Sequence, residues 1–287
     1  MYAIQNPQAR NLSSLQRYAI SNSDFFLPQR EHAFARQAVH GSFTSEFLST
    51  PSGLFSILIF RLITFNTEAL RQTPADMRKV AFTDLSDWNA YLNLLKQHFG
   101  DQPQDFYCNR NAFSHQTQTE RVLANANQYW IAATTSDWPS HFAQETTLSF
   151  QSCMSILKKL RANGKSLRQL GLLARYLITT DLVYGGLVMQ PTPEDIAPFI
   201  FDLKAGGAKG LRYLGYCSPA PKVYTTKTAF MPTKPDILQG FISFFEDIDS
   251  RLSREEKIAM GWDAIMAEHA LCKVSRLNAF FQDFIKT

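Results

Sequence analysis

The sequence predicts an all-α protein, on three observations. Helix start signals recur along the chain, apolar residues return at spacings of three and four, and the apolar–polar alternation of half-buried strands is scarce. The 287 residues allow one large domain or two small ones. At 45% hydrophobic and 19% charged residues the chain is neither disordered nor collagen-like, and with only 13 Gly and 13 Pro it has room for long helices.

Taken in order, residues 1–10 are polar and carry no signal-peptide core. The greasiest run, residues 54–65, is interrupted by Arg61 and reads as a buried helix, too short to span a bilayer. Thr73-Pro74-Ala75-Asp76 has a capping Thr, Pro at the first helical position and an acid in the first turn, so it predicts a helix start. Trp88, Leu92, Leu95 and Phe99 mark the face of the next helix. Residues 100–118 are polar and read as a surface loop, with Tyr107 in a short extended piece. Ile156, Leu157 and Leu160, then Leu170, Leu173, Leu177 and Ile178, mark two more helices. Gly164-Lys165-Ser166 resembles the end of a phosphate-binding loop. The Gly required five residues earlier is Lys159, so we read a corner between helices instead. Thr192-Pro193-Glu194-Asp195 repeats the start grammar for a helix over 193–204. Residues 218–235, with four prolines, form a long loop in which Val223-Tyr224 is the extended candidate. Ser253-Arg254-Glu255-Glu256 is a capping box, opening a helix expected to reach about Asp283. There is no internal repeat. The expected organisation is a segment over 1–50 and one compact helical unit over 51–287.

The net charge of +4 says less than its distribution. Residues 146–180 hold no Asp or Glu but carry Lys158, Lys159, Arg161, Lys165, Arg168 and Arg175. Residues 203–235 again lack acids and carry Lys204, Lys209, Arg212, Lys222, Lys227 and Lys234. Such stretches suit a surface that meets phosphates, and equally an ordinary solvated face. The four cysteines are scattered without a C-x-x-C pair, which points to a reducing cytoplasm rather than a disulfide framework or zinc module.

Two blocks carry candidate chemistry. Ala205-Gly206-Gly207-Ala208-Lys209-Gly210-Leu211 follows a capped helix and precedes an apolar stretch. Glycines there allow a tight turn whose outward N–H groups hold a phosphate oxygen, with Lys209 and Arg212 adding charge. That is the chemistry of a helix–hairpin–helix gripping a DNA backbone, and the alternative is a plain helix connection. Glu268-His269-Ala270-Leu271-Cys272 sets a carboxylate, an imidazole and a thiol within about one helical turn, as base, proton shuttle and nucleophile. The alternative is an apolar stripe with a core histidine and a buried thiol. No histidine pair has metal spacing, no cofactor motif is visible, and a divalent metal is chemically possible without a ligand cluster to indicate it.

Three elements in order, Tyr176 with Asp181-Leu182-Val183-Tyr184, the glycine block at 205–211 and Glu268-His269-Ala270-Leu271-Cys272, resemble the α-glutamyl/putrescinyl thymine pyrophosphorylases, or amino acid–DNA transferases. They also resemble the helical domain associated with 5-hydroxymethyluracil DNA kinases. The likeness runs best over 170–272, with Phe60-Arg61-Leu62 matching an aromatic–Arg pair. The chain departs where Lys273-Val274-Ser275 replaces an acidic stretch, Met266 an acid and Gly207 a proline.

The resemblance implies a helix–hairpin–helix DNA glycosylase-like fold and a bacteriophage pathway that hypermodifies thymine. Pyrophosphate would leave the 5-methylene of a pyrophosphorylated 5-hydroxymethyluracil in DNA, and an amino acid or polyamine would add there. Gly206, Gly207, Lys209, Gly210 and Arg212 would hold DNA phosphate or pyrophosphate, with Arg61 and Tyr176 also at the DNA. Glu268 or His269 would deprotonate the amine. Asp181 would orient His269 or bind the amine. Cys272 would add transiently to the ring or serve as a structural thiol. A partner kinase supplying the pyrophosphate, and flipping of the base, follow from the same likeness. Two other readings stay open: a DNA glycosylase or lyase using Asp236, and a non-catalytic DNA-binding scaffold.

Overall fold

The computed structural model describes residues 17, 37–39, 41–109, 118–143, 147–203, 206–217 and 233–285, and these are mostly helical. The only sheet among them is one two-stranded hairpin. Contacts group the chain into two compact units, 37–190 and 191–287 with 1–36, where the sequence reading drew a single unit over 51–287.

In the unit over 37–190, α1 (Ser45–Leu48) and α2 (Pro51–Ile59) are capped by the hydroxyls of Thr44 and Thr50, with Pro51 in the first turn of α2. Every residue of α2 from Gly53 onward is buried, and so are all five of the π-helical turn that continues it, Phe60–Thr64. Gly53 is required by close approach: a Cβ there would stand 2.0 Å from the Phe47 carbonyl oxygen. Thr67 caps the short α3 (Glu68–Gln72).

The start expected at Thr73-Pro74 does not open a helix. The Thr73 hydroxyl donates to the Ala69 carbonyl at 2.5 Å and closes α3, and residues 75–77 form a turn before extended chain. Asp84 caps α4 (Leu85–Phe99), which buries Trp88, Tyr91, Leu92 and Leu95. Tyr107 ends a one-turn helix, α5 (Gln104–Tyr107), rather than lying extended. Helix α6 (Gln118–Thr135) packs on α2. The indole N–H of Trp138, in the 3-10 turn Trp138–His141, donates to the Leu48 carbonyl at 2.9 Å.

After α7 (Phe150–Lys159), the corner expected between helices is a β-hairpin, β1 (Arg161–Ala162) and β2 (Lys165–Ser166), in antiparallel register Arg161↔Ser166. Asn163 and Gly164 at its tip have φ of 52° and 74°. That is the type I′ turn, the strongest short hairpin signal a sequence carries. Helix α8 (Leu172–Tyr184) then buries Tyr176 and an unbroken run from Ile178 to Val183.

The second unit begins with α9 (Pro193–Leu203), as its start signal predicts. Helix α10 (Gly206–Tyr213) follows. The Val223-Tyr224 pair lies outside the described residues. Helix α11 (Lys234–Arg251) opens with a capping box of Thr233 and Asp236. Ser253 and Glu256 form the expected box on α12 (Arg254–Met260). The single long helix expected from there is two. Gly261 takes the left-handed conformation at φ 60° and ends α12, and α13 (Ala264–Ile285) begins after it. Within this unit α10 packs chiefly on α13, and α9 on α11. No helix among the described residues is long and apolar enough to cross a membrane.

Candidate functional site

The glycine block and the Glu-His-Ala-Leu-Cys block, far apart in sequence, meet where α10 crosses α13. A methyl group at Gly210 would stand 2.4 Å from the Leu271 carbonyl oxygen, and one at Gly206 would stand 2.8 Å from the Cys272 sulfur. At Gly207 it would meet Ile200 Cγ2 at 3.2 Å and Glu268 Oε1 at 3.5 Å. Gly206 and Gly210 are one helical turn apart, so they bare one stripe of backbone to the neighbouring helix. Ala205 lies outside the described residues, but 206–213 are helix rather than the expected tight turn, and Gly207 and Gly210 are buried. The glycines serve the close crossing of two helices, and their burial replaces the outward-pointing amides expected of a phosphate loop.

That crossing sets the local chemistry. The Cys272 thiol donates to Glu268 Oε1 at 2.9 Å and receives the Gly207 backbone N–H. Burial drives the Cys272 pKa far above the usual thiol range. The charge of Glu268 and its hydrogen bond push the same way, and the positive charge of Arg276 and the Gly207 amide oppose them weakly. The proton therefore stays on sulfur at neutral pH, so Cys272 is a hydrogen-bond donor here and not a thiolate. Glu268 is 6% exposed and is the acceptor of the pair. His269 is half-buried on the next position of α13. On α10, Lys209 is exposed, Arg212 half-buried and Tyr213 exposed, so the face turned from α13 carries a cation and an aromatic ring four residues apart.

The other three expected site residues lie in the unit over 37–190. Arg61 Nε and Nη2 donate to the two carboxylate oxygens of Asp181, on side chains 2% and 0% exposed. The Phe60 and Phe65 rings lie 5.0 and 4.7 Å from the guanidinium carbon. Asp181, expected to orient His269 or hold the amine, is instead engaged by a buried guanidinium. Arg61, expected at the DNA, is buried with it. Tyr176 is 1% exposed, its ring edge-on to Phe150 at 5.8 Å. This arrangement is that of a buried fork-to-fork ion pair with aromatic walls. Asp236 accepts from the backbone N–H and hydroxyl of Thr233, so its carboxylate is part of the α11 cap.

Sequence reasoning passed over Lys273, which is 6% exposed on α13 beside Cys272, although charged residues are almost never so buried unless paired. It also passed over Tyr216, whose hydroxyl donates to Asp247. Asp247 in turn accepts from Arg251 Nη2 at 2.7 Å, and the Tyr216 hydrogen bond and Arg251 hold its carboxyl below the ordinary value. No spacing rule marks either residue. Among the described residues no group of three His, Cys, Asp or Glu is placed to hold a metal ion. Comparison with protein-family models, with curated proteins and with solved structures finds no match.

Proposed function

We propose that the chain is a DNA-modifying transferase that aminates a pyrophosphorylated 5-hydroxymethyluracil. The amine nitrogen forms a bond to the 5-methylene carbon, the carbon–oxygen bond breaks, and pyrophosphate leaves with the electron pair. A base takes the proton that the new C–N bond acidifies. In this reading Glu268 or His269 is that base, and Lys209 and Arg212 supply positive field for phosphate. Cys272 keeps its proton and positions Glu268. The amine is an amino acid or a polyamine, and the protein works in a reducing cytoplasm beside a kinase that makes the pyrophosphate.

The observation that supports this reading is the meeting of the two blocks at one crossing, with Glu268 facing Gly207 and Cys272 facing Gly206. One observation favours a second reading, a non-catalytic DNA-binding scaffold. The Glu268 carboxylate is buried and bonded to Cys272, which suits a structural clasp between helices. The glycosylase reading loses its candidate acid to the α11 cap.

The test is incubation with DNA carrying the pyrophosphorylated base and a pool of amino acids and polyamines, then digestion to nucleosides and mass spectrometry. A new aminated nucleoside with release of pyrophosphate, lost in Glu268→Gln, is the expected result. Unchanged nucleosides with salt-sensitive DNA binding would establish the scaffold instead. An abasic site would restore the glycosylase.

A further inference from the structure

The unit over 37–190 holds a cavity that the transferase reading does not use. It has a volume of 710 Å³ and lies between the end of α6, the 3-10 turn, the last turn of α7 and the hairpin tip. That volume falls in the range of small-ligand pockets. Its inner lining includes Ile131, Trp138, Ile156 and Leu160, of which Trp138 and Leu160 are buried. An apolar body is therefore part of what fits it, since inorganic phosphate alone would leave these walls uncovered.

The outer lining carries charge. His141 Nε2 stands 3.4 Å from Asp137 Oδ1, so the lining's one acid is offset locally. Arg161 Nη1 donates to the Lys158 and Leu160 carbonyls, both at 2.9 Å, which anchors a cation at the end of α7. Lys159 lines the same wall, is exposed, and makes no hydrogen bond or ion pair with a described residue. Lys159 and Arg161 less Asp137 leave one net positive charge, or two when His141 is protonated. A phosphate monoester carries about −1.5 to −2 at neutral pH, which matches that excess. The nearest hairpin residues add Lys165 and Arg168 to the positive field, and residues 147–180 contribute no acid.

We propose that this cavity binds an organic monophosphate with a flat apolar body, the class of a mononucleotide. Its phosphate is held at Lys159 and Arg161, and its body lies against Ile131, Trp138 and Ile156. Asn163 and Gly164, at the hairpin tip, complete the lining with polar groups. The Asn-Gly hairpin, read from the sequence as a corner, then positions one wall of a site. The proposal is independent of the transferase chemistry, which concerns the other unit.

Isothermal titration of the full chain with adenosine monophosphate, adenosine and inorganic phosphate tests it. Saturable one-to-one binding of the nucleotide is expected, with adenosine and phosphate each weaker by about tenfold or more. Lys159→Glu should weaken the nucleotide by about tenfold, and Lys165→Glu, the same charge change outside the lining, by less than about twofold. A thermal melt of each variant shows that the fold is kept. Absence of nucleotide binding overturns the proposal. So does adenosine or phosphate binding as well as the nucleotide, or an equal loss in the two lysine variants, which would mean a diffuse charge effect.

Discussion

Replacing Gly210 with Ala probes the crossing on which the candidate site is built. The added carbon would lie 2.4 Å from the Leu271 carbonyl oxygen and 2.8 and 2.9 Å from the carbonyl and α carbons. Ordinary contact begins at 3.4 Å, so the shortfall is 3.4 − 2.4, or 1.0 Å, against backbone that cannot rotate aside. Helices α10 and α13 must part by about that distance. Alanine gains about 1 kcal/mol over glycine in a helix interior, while overpacking costs about 1–3 kcal/mol and at times more. A rigid backbone clash belongs at the upper end, which leaves a net loss of about 1–2 kcal/mol. Gly207→Ala supplies the contrast. Its new carbon meets only the ends of side chains, at 3.2 and 3.5 Å, so the helix gain roughly offsets the crowding. Urea unfolding followed by circular dichroism measures both, read as a shift in midpoint at unchanged slope. A Gly210→Ala protein as stable as the parent, or a Gly207→Ala protein more damaged than Gly210→Ala, would refute the close-crossing argument.

Further outcomes follow from other parts of the molecule. Asp181→Asn leaves the Arg61 guanidinium buried without its counter-charge and should cost about 3–5 kcal/mol in thermal unfolding. Arg61→Met combined with Asp181→Leu should cost less than either single change, and additive losses would show that the pair is not coupled. Burial raises the thiols of Cys153 and Cys217 to about 12 and about 11, and Cys272 lies further up. Unfolded, each ionises near 9.0. Above that pH the unfolded chain sheds protons that the folded chain keeps, so stability should fall as pH rises. A denaturation midpoint that does not drop between about pH 8 and about pH 10 would refute this. Glu268→Gln removes the charge that raises Cys272, so alkylation of this thiol by iodoacetamide should begin at lower pH than in the parent. Gly164→Ala places a side chain at φ 74° with nothing within 4 Å, so it should cost about 1 kcal/mol through strain alone.

Local signals were legible where one residue supplies its own partner within a turn. Ser253 with Glu256 and Thr192 with Asp195 announce their helices because the cap is a local hydrogen-bond exchange. Thr73 carried the same letters and misled, because its hydroxyl serves the helix behind it. Asn163-Gly164 was legible in principle, since both residues take positive φ, but the phosphate-loop resemblance at the next residues drew attention away from it. Gly261 was seen, yet a glycine inside a periodic pattern does not say whether it will be tolerated or will take the left-handed cap. The pairing of Arg61 with Asp181 was beyond reach, because 120 residues separate them and no local rule couples them. The glycine block illustrates both sides. Its composition marked a place where backbone comes close to something, and only the structure identifies that something as α13.

The burial of α2 on every side carries a consequence for how its orientation is specified. A cylinder that is greasy all round has nearly the same affinity for its surroundings at any angle of rotation about its axis. Its apolar residues therefore carry almost no information about phase. That information sits in three polar side chains. Ser52 Oγ reaches the Thr83 carbonyl at 2.5 Å, Ser56 Oγ receives the Phe82 N–H at 2.8 Å, and Arg61 takes Asp181. At about 100° per residue the two serines lie within about 40° of each other, and Arg61 lies well round from them, so the helix is keyed from two sides. Exchanging one aliphatic residue of α2 for another alters volume and leaves the angle alone. Erasing the three polar keys with isosteric apolar residues would leave a core no less oily but open to several rotations of comparable energy, a loss of uniqueness rather than of cohesion.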